Sequence, residues 1–235
     1  MTQIPANTGR LIAFGDIHGH AERLRKILAE INPTPEDTFV FLGDFVDRGP
    51  DSKGVIQEVI NLAEHTNVYS ILGNHEEMIL AALQGGKDEH KFWCKFGGIE
   101  ALASYGVEKA KDLPYEHLKF IAECHDYLES ENHIFVHASC IPHLPLKHNT
   151  GEILRWMKLD DSPVPHFTGK TVICGHTAQK HILNFNHLIC IDTGCGIWPG
   201  GRLTALEVNT GDFWQFGGNA KNVKKGNLKE SLENE

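Results

Sequence analysis

Seven side chains suited to cations each follow a short apolar run. Asp16 and His18 follow Leu11–Phe14, Asp44 follows Phe39–Leu42, Asn74 and His75 follow Val68–Leu72, His137 follows Ile134–Val136, and His176 follows Val172–Cys174. Carboxylate, amide and imidazole donors in one set suit Mn²⁺, Fe or Zn²⁺ better than a thiolate-seeking ion. Asp47 and Arg48 stand just beyond Asp44, and a guanidinium fork matches the oxygens of a phosphate. The chain has fifteen histidines, so a lone Asp-x-His would mean little. The recurrence is what counts, because convergent Asp and His groups at strand ends mark a site. In several runs a glycine precedes the ligand and permits the sharp exit that a short side chain needs.

The spacing says what positions these groups. Asp16 and Asp44 are 28 residues apart and Asp44 and Asn74 are 30 apart, the size of a βαβ unit. Helices are expected over His20–Glu30, with Leu24, Ile27, Leu28 and Ile31 at helical spacing, and over Ser52–Glu64. The predicted fold class is therefore α/β, an N-terminal βαβαβ whose ligands gather beyond the carboxyl ends of parallel strands. Residues 75–131 read as a helical insertion broken at Gly85-Gly86, Gly97-Gly98 and Gly106, with Pro114 opening a helix that runs to about Tyr127. That insertion shows no chemistry of its own. After residue 132 the pattern is strand-rich, and its short spacings suit a second, mainly antiparallel sheet. Residues 141–168 read as a long proline-bearing loop. One domain is expected over 1–216, with 217–235 a polar tail lacking structure.

Composition narrows the partners. A net charge of -9 argues against a nucleic-acid-binding face, which needs clustered Lys and Arg. It does not exclude a phosphate substrate, because bound cations supply positive charge locally. No run nears the ~20 apolar residues that span a membrane, and the N-terminus lacks a basic start followed by an apolar stretch. The expectation is a cytoplasmic monomer with reduced cysteines, since the six cysteines include no CxxC spacing.

The segments GDIHGH, GDFVDRG, GNHEE, FVHA and CGHT resemble the signature motifs of the calcineurin-like metallophosphoesterases. Within that family they are most similar to the bacterial serine/threonine protein phosphatases, over about residues 10–208. The resemblance implies a β-sandwich flanked by helices with two divalent metal ions, Mn²⁺ first and Fe or Zn²⁺ as alternatives. Asp16, His18 and Asp44 would hold one ion. Asp44, Asn74, His137 and His176 would hold the other, with Asp44 bridging. His75 would be the general acid, oriented by Asp47, while a water shared by the metals attacks the phosphorus in line. Arg48 would bind phosphate, and so would Arg155 by residue type or Lys158 by its spacing from Trp156. Glu76 reads as a structural hydrogen-bonding partner, Asp192 as a turn carboxylate and Trp198 as a packed loop residue. The implied activity is hydrolysis of phosphoserine or phosphothreonine in proteins or peptides. The alternative is a nucleotide substrate, a dinucleoside tetraphosphate, whose hydrolases share the fold and the metals; the symmetrically cleaving ones carry alanine where this chain has Asp47, which favours the phosphatase. A non-catalytic scaffold is disfavoured by the intact ligand set.

Overall fold

The computed structural model describes residues 2–5 and 9–231. In its first half the chain runs through β1 (Thr2–Gln3), β2 (Leu11–Phe14), α1 (Ala21–Ile31), β3 (Thr38–Phe41), α2 (Ser52–Ala63) and β4 (Asn67–Ser70). Four helices follow: α3 (Asn74–Gln84), α4 (Lys87–Trp93), α5 (Ile99–Tyr105) and α6 (Tyr115–Ala122). Next come β5 (Tyr127–Glu129), β6 (His133–Val136), α7 (Gly151–Trp156), β7 (Thr171–Cys174), β8 (Leu183–Asn184) and β9 (Leu188–Cys190). The chain closes with β10 (Arg202–Glu207), β11 (Asp212–Gly217), β12 (Lys224–Asn227) and α8 (Leu228–Ser231).

Two six-stranded sheets face each other, ordered β12-β11-β10-β2-β3-β4 and β1-β5-β6-β7-β9-β8. The two-residue period of the strands sorts their side chains between layers. Ala13, Val40 and Leu42 of the first sheet meet Phe135, Ile173 and Ile191 of the second in the middle of the sandwich. Their neighbours Ile12, Phe14, Phe39 and Phe41 turn outward, into a core shared with α1, α2 and the helices after β4. On the far face of the second sheet, Ile134, Val136, Val172 and Cys174 are covered by Leu146 and Leu154 of the 141–168 segment. Strands covered on both faces read as continuous apolar runs, as these do.

The expected βαβαβ is present, with β2, β3 and β4 parallel and in register. Helix α1 stops where Asn32 takes a left-handed conformation (φ 51°) and its N–H returns to Leu28 O. At α2, Asp51 caps the start by accepting the Gly54 N–H.

Four expectations differ from the structure. The last hairpins do not build the second sheet: β10 pairs with β2, so β10–β12 extend the first one. The middle of the second sheet, β6-β7-β9, is parallel, because long crossovers and not hairpins join those strands. Structure also continues past residue 217, where Lys224–Asn227 pairs antiparallel with β11. Backbone pairing supplies there what the polar side chains do not. Helix α6 ends at Ala122, and Tyr127 already begins β5. Among the described residues no helix is long and apolar enough to cross a membrane.

Candidate metal centre and active site

The exits of five strands from both sheets meet at one edge of the sandwich. Among the described residues, five of the seven non-glycine ones with positive φ lie here: His18 (46°), Asp44 (51°), Asp47 (72°), Arg48 (64°) and His176 (62°). Such backbone costs of order 1–3 kcal/mol per residue and persists where the surroundings over-determine it. The bracing is visible. The Glu76 carboxylate accepts the N–H groups of Asp44, Phe45, Val46 and Gly73 at 2.8–3.3 Å, which makes it the structural partner expected. Gly43 and Gly73 then bring two loops into backbone contact. A Cβ on Gly43 would stand 2.6 Å from Gly73 N, and one on Gly73 would stand 2.3 Å from Asp44 Oδ1.

The ligand set predicted from sequence comes together. His18 Nδ1–H donates to Val46 O (3.0 Å) and His137 Nδ1–H to Leu42 O (2.8 Å), so each ring turns an Nε2 lone pair inward. His176 is wired the other way, with Nε2–H on Trp156 O (3.2 Å) and Nδ1 facing in. These lone pairs face oxygen atoms. His137 Nε2 lies 2.9 Å from Asn74 Oδ1 and 3.5 Å from Asp44 Oδ1, His176 Nδ1 lies 3.1 Å from Asn74 Oδ1, and His18 Nε2 lies 3.5 Å from Asp44 Oδ2. Asp16 stands beside them, its Oδ2 4.0 Å from His18 Nε2 and its carboxylate accepting the His176 N–H. Burial lowers the pKa of His137 and of His176 to about 4 and that of His18 well below its ordinary value, so all three are neutral imidazoles at pH 7. Burial also raises Asp44 to about 7 and holds Asp16 well above the usual carboxylate range. Acceptors turned towards acceptors, with carboxylates denied water, form a set that fits divalent cations. Two groups, His18-Asp44-His75 and Asp44-His137-His176, each place their donor atoms within 4.8 Å of one another, with Asp44 common to both.

His75 is buried beside this cluster, its Nε2 3.9 Å from Asp44 Oδ2. Its Nδ1–H donates to Asp47 Oδ2 at 2.6 Å, and its Nε2 faces Arg48 Nη2 at 3.0 Å. Arg48 also donates to His18 Nε2 at 2.7 Å, so its guanidinium lies over the cluster. The fourth member was not legible in the sequence. Trp93, fully buried at the end of α4, donates its indole N–H to Asp47. The 75–131 insertion therefore does carry a group that acts on the site. It also braces the Arg48 loop, since Gly97 O accepts the Arg48 N–H (3.2 Å). Burial is the main influence on both members of the dyad, pushing Asp47 up and His75 down. The Trp93 bond opposes it at Asp47 by favouring the carboxylate.

Arg155 is placed differently from its expected role. Its guanidinium pairs with Glu77 (2.6 Å) and with Asp126 (2.7 Å), and Glu77 also accepts the Trp156 indole N–H. Lys158 is exposed on the same segment, and its charge acts on His176. Asp192 Oδ1 accepts the Gly194 N–H (2.9 Å), as a turn carboxylate should, and Trp198 packs over Gly194.

The sequence comparisons agree with this geometry. The family model described as calcineurin-like phosphoesterase matches residues 9–180. The asymmetrical bis(5'-nucleosyl)-tetraphosphatase PrpE of Oceanobacillus iheyensis is 30% identical over 225 residues, covering 85% of this chain and 89% of that protein. Serine/threonine-protein phosphatase 1 of Salmonella typhimurium is 26% identical over 212 residues, covering 83% and 89%. Among solved structures, the cold-active protein-tyrosine phosphatase of a Shewanella species superimposes with a TM-score of 0.69. That match covers 96% of this chain and 83% of the other, and at 18% identity it speaks for the fold alone. By the extent of the family match and by the cluster of Asp, Asn and His at the strand ends, the chain belongs to the calcineurin-like phosphoesterases.

Proposed function

We propose that the protein hydrolyses phosphoserine and phosphothreonine in proteins or peptides. The observation that carries this reading is the supply of positive charge. The cationic side chains whose charge acts on the site's histidines include Arg48, Arg155 and Lys158, and Arg155 is already neutralised by Glu77 and Asp126. Arg48 and Lys158 suit one phosphoryl group better than a chain of four.

Asp16, His18 and Asp44 would hold one cation, and Asp44, Asn74, His137 and His176 a second, with Mn²⁺ the first choice for this donor set. Two such ions lower the pKa of a water and neutralise phosphoryl oxygens. The chain's own residues do the rest. Arg48 orients the phosphoryl group with its two inward N–H donors. With Arg48 turned from His75 Nε2 to the phosphoryl group, Nε2 is free to take a proton, which it yields to the serine or threonine oxygen as the P–O bond breaks. Asp47 stabilises the imidazolium through Nδ1 and keeps the ring turned. Because burial works against that charge, the dyad depends on Asp47 being ionised, and the Trp93 bond favours this.

A second reading, hydrolysis of a dinucleoside tetraphosphate, is favoured by the 30% identity to a tetraphosphatase over most of both chains. Metal-stripped protein reconstituted with Mn²⁺ separates the two. The quantity to measure is kcat/KM on a phosphothreonine peptide against that on diadenosine tetraphosphate. A ratio above one supports the protein-phosphatase reading, and a ratio below one replaces it with the second.

A further inference from the structure

Asp192 has a role that a turn does not explain. It lies two residues beyond the end of β9, as Asp16 does beyond β2 and His176 beyond β7. Strands β7 and β9 are parallel with Cys174 opposite Cys190, so His176 and Asp192 occupy equivalent places at the same sheet edge. The Asp192 loop also lies directly on the Asp16–His18 loop. A Cβ on Gly15 would stand 2.7 Å from Ile191 O, one on Gly196 would stand 2.7 Å from His18 Cβ, and Cys195 Sγ donates to Ile17 O at 3.1 Å.

In that position one oxygen is accounted for and the other is not. Oδ1 takes the Gly194 N–H, while Oδ2 is the one buried side-chain polar atom without a hydrogen-bond partner among the described residues. The side chain is 1% exposed, so solvent does not reach it. The groups that act on Asp192 include Asp16 and Asp44, carboxylates themselves, and the Arg48 guanidinium, which is directed at His18 and His75. A buried carboxylate oxygen beside the Asp16 side chain is met by a proton shared between the two carboxyls or by a cation in its place.

We propose that Asp192 is a positioning residue of the metal centre, whose Oδ2 binds the hydrated cation held by Asp16, His18 and Asp44. This rests on the metal-centre reading above. Outer carboxylates of this kind typically change metal affinity by 10–100-fold.

The test is Mn²⁺ binding to metal-stripped protein, followed by titration calorimetry and by the EPR signal of free Mn²⁺, together with the unfolding midpoint of the metal-free form. Asp192→Asn keeps an oxygen for the Gly194 N–H and removes the charge. The expected result is at least a tenfold loss of affinity at one of two sites, with a metal-free midpoint equal to or above that of the wild type. A smaller loss at both sites, with a lowered midpoint, leaves Asp192 a turn residue and overturns the proposal. Asp192→Ser, whose hydroxyl also takes the Gly194 N–H, serves if the Asn variant does not fold. Wild-type protein that binds no Mn²⁺ overturns the centre itself, which distinguishes that failure from a failure at Asp192.

Discussion

Trp93 donates its indole N–H to both carboxylate oxygens of Asp47, at 2.9 Å from each. The bond links a helix remote from the strand ends to the residue that turns His75. A hydrogen bond to a charged group contributes about 1.5–3 kcal/mol. Trp93→Phe keeps the aromatic body and loses the donor, so kcat should fall about 10- to 100-fold with KM little changed. Because the bond holds the Asp47 pKa down, its loss moves the acid limb of the pH–rate profile to higher pH. A KM effect with an unmoved limb would reduce Trp93 to a packing residue.

His75→Asn should lower kcat on a phosphothreonine peptide about 10²- to 10⁴-fold, the usual contribution of a general acid. The loss should be far smaller on p-nitrophenyl phosphate, whose leaving group departs without a proton. Equal losses on both substrates would remove His75 as the acid. Mn²⁺ affinity should stay at the wild-type value, since His75 is not among the proposed ligands.

Arg155 and Lys158 should separate into stability and binding. Arg155→Ala leaves Glu77 and Asp126 without their partner and should cost about 2 kcal/mol in a urea melt. Lys158→Ala should leave the melt unchanged and raise KM for a phosphopeptide roughly tenfold. The reverse pattern would restore Arg155 as the phosphate ligand.

Metal-free protein should lose stability as pH rises from about 7 to 8. Burial raises Asp44 to about 7 and Glu76 to about 8, both above their unfolded values, so the folded state holds protons that the unfolded state has already released. Stability from such groups is present at lower pH and fades through the folded pKa. His137 and His176, lowered to about 4 from 6.5, act in the opposite direction only below that range. Thermal midpoints at pH 7 and 8 check the sign. Mn²⁺ should raise the midpoint more at pH 8, where it has fewer protons to displace.

The site was legible because its chemistry sits where apolar runs stop. Asp16, Asp44, Asn74, His137 and His176 are found from the chain alone, since a strand exit is a local pattern. Trp93 was not, because an aromatic residue in a short helix looks like core, and only tertiary structure shows its N–H reaching Asp47. The ion pairs of Arg155 were hidden for the same reason: Glu77 and Asp126, which hold it, are 78 and 29 residues away. Sheet membership of β10–β12 was hidden too, since a hairpin pattern says which strands pair and not which edge they extend.

The Asp44 pair of contacts has a consequence for stability. Asp44 leaves the first sheet, while His137 and His176 leave the second, so a cation held by them would join two layers that are distant along the chain. Such a link constrains the unfolded chain much as a disulfide closes a long loop. A bound ion would then hold the two layers together, and chelation would remove that share of the sandwich's stability without unfolding it.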